Sequence, residues 1–216
     1  MTALSCIKSV IIPHGRTPRV IVGGLFRGLR MDIDFGCDTQ VYLGLWEREI
    51  ADWMRKLSKG AKTGLDVGCS RGLYALYLLK HTKAKVFAFD PDPHSASRFR
   101  RSVALNTVQT SRLEFLQKSV GSELALDSLL PLEYPLFVKM DIDGGEVAAL
   151  RTASQLIHAD SRWIIETHSP ALERECIEIL GRAGMQVRII EHAWWRRIIP
   201  EMRAMDCRWI AAARQL

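Results

Sequence analysis

The segment Leu65-Asp66-Val67-Gly68-Cys69-Ser70-Arg71-Gly72-Leu73-Tyr74 joins a short apolar run to a segment of helical period. Glycines at 68 and 72 allow a tight turn, and the helix start beyond them offers unpaired N–H groups to a ligand. Three chemistries compete for this turn. A dinucleotide site would need G-x-G-x-x-G, but position 70 is Ser and position 73 is Leu. A nucleophile elbow would read G-x-S-x-G, which Gly68-Cys69-Ser70-Arg71-Gly72 satisfies, and Asp141 or Asp143 followed by His168 or His192 gives the order of a triad. That elbow normally follows several core strands, however, and here it ends the first. The third chemistry uses two acids. Asp66 lies in an apolar strand end, where an unpaired carboxylate is costly, and Asp90 ends the next run, KVFAFD, where a carboxylate can accept both hydroxyls of a ribose. A ligand with an amino group and a ribose but no phosphate uses both, and S-adenosylmethionine is such a ligand.

A second group of reactive side chains lies further on. Asp141, Asp143, Glu146, Glu166 and His168 fall at the carboxyl ends of two apolar runs. Transfer of a group to a hydroxyl needs in-line positioning and a proton acceptor. His168 is the first choice for that base and Asp141 the second. Asp141, Asp143 and Glu166 could alternatively offer oxygens to Mg²⁺, although no spacing is diagnostic and a metal is not the favoured reading. Trp194, Trp195, Arg196 and Arg197, in the connection EHAWWRRIIPEMRAMDCR, could line an acceptor pocket.

These residues need a frame that gathers strand ends. Apolar runs at 63–68, 85–90, 112–117, 136–142, 162–168, 185–190 and 207–213 alternate with helical segments, the last two excepted. Near-continuous apolar strands separated by helices predict an α/β doubly wound, mostly parallel sheet of seven strands, covered on both faces. Residues 19–35 read as two strands around a glycine turn, too small for a core of their own. The predicted organisation is therefore an N-terminal β cap over 1–45 and a ligand-binding domain over 46–216.

The 216 residues suffice for one good-sized domain, and 48% hydrophobic with 25% charged residues is the balance of a globular chain. No apolar run approaches a membrane span, and the start lacks the basic and apolar regions of a secretory signal. Five scattered cysteines without a CxxC pair fit reduced thiols and a cytoplasmic location. The net charge of +6 is carried by residues 1–60 and 194–216, while 61–193 is balanced. If the flanking elements border the acceptor entrance, Arg19, Arg27, Arg196 and Arg197 would favour an anionic acceptor.

On the motifs VYLGLWEREI, LDVGCSRGLYAL, VFAFDPDPHSASRFRRSVALN, LFVKMDIDGGEVAALRTA and IIETH, the chain resembles class I S-adenosylmethionine-dependent methyltransferases, specifically the FkbM family. The resemblance runs from about Val41 to Ile190. It departs at Cys69-Ser70, where the family often has Ala-Asn. It implies a Rossmann-like methyltransferase fold in which Asp66, Gly68, Cys69, Ser70 and Gly72 surround the methionine end of the cofactor. Asp90 would take the ribose hydroxyls, with Pro91 and Asp92 shaping that loop. Ser119 and Val120 would flank the adenine, and Asp141 would sit near the reactive methyl group. The expected activity is methylation of a hydroxyl on a small molecule or saccharide, with S-adenosylhomocysteine as product. An RNA methyltransferase and a non-catalytic cofactor-binding regulatory protein are the alternatives. Neither a nucleic-acid partner nor a membrane is expected, and the oligomeric state is not legible.

Overall fold

The structure, a computed structural model, describes residues 15–197 and 206–216. Seven strands form one sheet in the order β5-β4-β3-β6-β7-β9-β8, where β3 is Thr63–Val67, β4 Lys85–Phe89, β5 Leu113–Leu116, β6 Leu136–Met140, β7 Ser161–Thr167, β8 Gln186–Ile190 and β9 Arg208–Ala213. The pairs β3·β4, β3·β6, β4·β5 and β6·β7 are parallel, whereas β9 runs antiparallel to both β7 and β8. All seven predicted strands are present. The reversal of direction after β3, where β4 lies on one side and β6 on the other, opens a crevice at the carboxyl ends.

Alternation along the strands divides the core in two. Leu65, Val67, Val138, Met140, Trp163 and Ile165 face one layer, which α5 (Glu146–Arg151), α6 (Ser154–His158) and α7 (Pro170–Arg182) cover. Phe137, Ile164, Trp209 and Ala211 face the other, covered by α2 (Ala51–Ser58), α3 (Leu73–His81) and α4 (Pro93–Ala104). By the same alternation the polar residues Asp66, Lys139 and Glu166 fall on this second face, all of them buried.

The chain also supplies its own helix starts. Asp92 accepts N–H bonds from His94 and Ser95, with Pro93 at the first position of α4, and Ser169 with Pro170 opens α7 in the same way.

The N-terminal element is a two-stranded antiparallel hairpin, β1 (Thr17–Val20) and β2 (Arg30–Ile33), followed by the short helix α1 (Thr39–Leu43). Ile21, Phe26, Leu29, Met31 and Ile33 are buried in the same core layer as α3, and the Phe26 ring meets Tyr74 edge-on at 5.0 Å. Asn106 of the α4 exit clamps Arg30, accepting from its N–H at 2.9 Å and donating to its carbonyl at 2.7 Å.

Two helices were not expected from the sequence, α1 and α6. The α6 start is capped from a distance, since the Asp127 carboxylate accepts from the Gln155 N–H (2.9 Å), the Leu156 N–H (3.1 Å) and the Ser154 hydroxyl (3.0 Å). Replacing Asp127 with Ala should cost about 1–2 kcal/mol in urea denaturation, with Asn recovering part of it; a loss below about 0.3 kcal/mol would show the cap to be idle.

Candidate active site

The glycine turn closes tightly on its neighbours. Gly68 has φ +77°, and a Cβ there would sit 1.7 Å from the Asp141 carbonyl oxygen, so no other residue lets β3 and β6 approach this closely. The Ser70 N–H donates to Asp90 at 2.8 Å, and the Asp92 N–H donates to the other Asp90 oxygen at 3.0 Å. Each carboxylate oxygen of Asp90 thereby keeps a lone pair for a further donor.

A cleft of about 610 Å³ lies over these groups. Gly68, Ser70, Asp90, Pro91, Asp92, Ser119, Val120, Asp141 and His168 line it, so nine of the expected positions meet in one crevice. Cys69 instead lines an adjoining chamber, and Gly72 packs its α-carbon against Phe99. Asp66 departs from expectation. It is fully buried and accepts from the Ala75 N–H at 2.8 Å, fastening α3 to β3 beneath the cleft instead of lining it. Burial pushes its carboxyl up to about 6, against the pull of Lys139 and the Ala75 N–H.

Lys139 is the cation that joins these acids. Its Nζ lies 3.3 Å from Asp141 and 3.8 Å from Asp66, 3.3 Å from the Gly68 carbonyl oxygen and 4.7 Å from the centre of the Tyr74 ring. Burial works against its charge, but Asp141, Asp66, Glu47 and Glu166 outweigh it and hold the ammonium protonated above the ordinary lysine range. Asp141 likewise overcomes its burial, and Lys139, a hydrogen bond with Glu166 and the charge of His168 hold its carboxyl below the usual range.

His168 sits among three carboxylates. Its Nδ1 bonds Glu146, and its Nε2 lies 2.9 Å from Asp143 and 3.5 Å from Asp141. The bond to Glu146, with the charges of Asp141, Glu146 and Glu166, pushes its pKa up to about 9 despite partial burial. At neutral pH it is an imidazolium that donates to the carboxylates, which does not suit it to the expected role of proton acceptor. Ligand atoms of Asp141, Asp143 and His168 lie within 4.8 Å of one another, but a metal there would first have to displace that proton.

Other expectations shift. Ser70 has φ +47°, the strained backbone of a nucleophile elbow, yet neither triad histidine reaches it: His168 pairs with acids, and His192 faces Glu49 and Arg196. Arg196 is buried against Glu49 at 3.7 Å, and Trp194 is 72% exposed; neither lines the cleft. The side chains of Trp195 and Arg197 fall outside the described residues. Arg19 lies over the Phe35 ring, and Arg27 borders a separate cavity with Arg55, Tyr77 and His81, so neither of these two expected rim residues lines the cleft. Trp46 and Glu47, which line the cleft from just before α2, were missed as site residues, although they lie in VYLGLWEREI, one of the segments that carry the resemblance.

Lys139→Met should destabilise the protein by about 3–5 kcal/mol in chemical denaturation, because it leaves buried carboxylates uncompensated. The His168 imidazolium contributes fully to stability below the ordinary histidine range and is lost as pH rises toward about 9. The stability gap between wild type and His168→Gln should therefore narrow from about pH 7 to about pH 9; a constant gap would show that the proton is not linked to folding.

No protein-family profile matches the chain, and no curated protein matches it. Solved structures share the fold. An rRNA methylase from Streptococcus thermophilus aligns with a TM-score of 0.56 at 12% identity, over 79% of this chain and 99% of the other. A precorrin-6y C5,15-methyltransferase from Geobacter metallireducens aligns with a TM-score of 0.55 at 11% identity, over 78% and 90%. A Listeria monocytogenes structure assigned as an S-adenosylmethionine-dependent methyltransferase aligns with a TM-score of 0.57 at 15% identity, over 78% and 98%. The architecture of this chain is that of the Rossmann-like methyltransferases.

Proposed function

We propose that the protein is an S-adenosylmethionine-dependent methyltransferase of FkbM-like type that methylates a hydroxyl group on a small molecule or saccharide. The observation that carries this reading is Asp90. It ends β4 at the crevice, is held in place by two backbone N–H groups and has acceptor capacity left over for a vicinal diol. The donor set fits the cofactor: a diol acceptor at Asp90, a partly apolar slot beside Ser119 and Val120, and carboxylates beyond Gly68 for the cationic end. When bound, the cofactor supplies an electrophilic methyl group on a sulfonium.

The chain's part is then to hold and to deprotonate. Asp90 orients the ribose, and Val120 with Phe89 excludes water from the adenine side. At the opposite end Asp141 accepts the acceptor's proton, with Lys139 and His168 fixing its position. The imidazolium of His168 braces the turn from Asp141 to Glu146, which replaces the role of base first expected for it.

The acceptor end bears Glu47, Asp141, Asp143 and Glu166. These charges repel a polyphosphate and weigh against RNA as the acceptor, whatever the acceptors of the fold's relatives. They also withdraw the anionic acceptor that the charge distribution suggested. Among the described residues no helix is long and apolar enough to cross a membrane.

Calorimetric titration with S-adenosylhomocysteine should show binding that Asp90→Ala weakens by at least about thirtyfold; absence of binding by the wild type would overturn the reading. Asp141→Asn should keep that binding and lose most methyl transfer, and the unaltered turnover of such a variant would move the chemistry elsewhere.

A further inference from the structure

The cavity that Arg27 borders has a volume of about 490 Å³ and shares no lining residue with the cleft or its adjoining chamber. That volume is in the range of small-molecule pockets. Three elements build it: Leu25, Arg27 and Gly28 from the connection between β1 and β2, Arg55 from α2, and Tyr77 and His81 from α3. The connection is fixed in the protein alone. Phe26 is buried against Tyr74, and the Gly28 N–H donates to the Ile21 carbonyl at 2.9 Å. Arg27, between these two anchors, is exposed.

The full charges about this cavity are of one sign. Arg27 and Arg55 line it, and no acid does. A Cβ on Gly28 would lie 2.9 Å from the Lys80 Nζ, so a third cation stands against a lining residue. Among the described residues Arg27 and Lys80 form no ion pair. Arg55 has Asp52 at 2.6 Å, but that carboxylate is 96% exposed and does not line the cavity, and such a surface pair contributes little. Burial, with the charges of Lys80 and Arg55, holds the His81 pKa below the ordinary histidine range.

Local structure explains part of this cluster. Lys80 and His81 end α3, where positive charge suits the helix dipole, and Arg55 pairs within its own turn of α2. Neither reason reaches Arg27, which comes from a separate segment. Like charges gathered from three elements repel one another, and a bound anion offsets that cost. Guanidinium forks match the oxygens of phosphate and of carboxylate. Three cations are better answered by a phosphate monoester, which carries about −1.5 to −2 charges at pH 7, than by the single charge of a carboxylate. Leu25 and the Tyr77 ring, whose centre is 4.8 Å from that of His81, offer apolar surface to the organic part of such an ester.

We propose that this cavity binds a small phosphate monoester, with Arg27, Arg55 and Lys80 as the cations that hold its phosphate. The site is independent of the methyltransferase reading. It gives the basic N-terminal flank a ligand that the acidic cleft does not. An occupied site also joins the N-terminal element to α2 and α3, so the ligand stabilises the folded chain.

Calorimetry on the full chain with phenyl phosphate, inorganic phosphate and benzoate tests the assignment. Phenyl phosphate should bind at one site, more tightly than inorganic phosphate, with benzoate the weakest. Arg27→Ala and Arg55→Ala should each weaken phenyl phosphate by about tenfold or more, and lysine at either position should recover part of the loss. Far-UV circular dichroism identical to wild type shows that the variants are folded. In NMR titrations phenyl phosphate should raise the His81 pKa, because a neighbouring anion opposes the effect of Lys80 and Arg55. Absence of binding, unaltered affinity in both folded variants, a static His81 pKa, or benzoate binding as tightly as phenyl phosphate would overturn the proposal. So would displacement of phenyl phosphate by S-adenosylhomocysteine, which would put the anion in the cleft.

Discussion

A single buried ammonium organises the functional end of this protein. Lys139 is 2% exposed, and no charge survives in such a place unless it is paired and hydrogen-bonded. Its partners come from different parts of the chain: Asp66 on β3, the carbonyl of Gly68 in the turn, Asp141 at the end of β6 and the face of Tyr74 on α3. The requirement to satisfy one cation therefore fixes the relative positions of the two central strands, the glycine turn and the first crossover helix. Strand pairing alone would align β3 and β6; it would not orient the turn above them.

The acids gathered around Lys139 outnumber it, and the surplus gives the cleft its character. Asp66 is spent on structure, receiving the Ala75 N–H at the start of α3. Asp141 divides between Lys139, Glu166 and His168; Asp143 shares the Nε2 side of that imidazolium with it, and Glu146 takes the Nδ1 side. Two cations thus hold a rim that remains net negative and open to a cationic ligand. A rim of that sign favours cations over anions.

Where local pattern decides the outcome, the sequence was enough. The seven strands followed from runs such as LFVKM and KVFAF, buried on both faces, and the helix at Pro93 followed from Asp92-Pro93. The place of Asp90 at the crevice was legible because it closes the apolar run KVFAF, so it must fall at the carboxyl end of β4. What escaped depends on distant residues. The helix α6 is only five residues long and is capped by Asp127, far upstream, so no local periodicity announces it. Asp66 was read as a ligand because a carboxylate in an apolar strand needs a partner, but its partners are the Ala75 N–H and Lys139. His168 was read as a base from its place at a strand end. Its charge state depends on three acids that only the fold brings together. Arg196 looked like a pocket lining and is an anchor, pinned to Glu49 on the segment that precedes α2.

Backbone strain gives a test of the site that uses neither resemblance nor charge. Among the described residues, Glu47, Ser70 and Asp143 have positive φ without being glycine. Each such conformation costs on the order of 1 kcal/mol and persists only where surrounding contacts enforce it. The three come from separate segments, before β3, after β3 and after β6, with no need to coincide, yet all line the same cleft. Each is enforced by a neighbour: Glu47 by the Tyr74 hydroxyl, Ser70 by Asp90, and Asp143 by His168. All three side chains are thereby fixed where a ligand in the cleft would meet them, and two of them, Glu47 and Ser70, stand on the wall shared with the adjoining chamber.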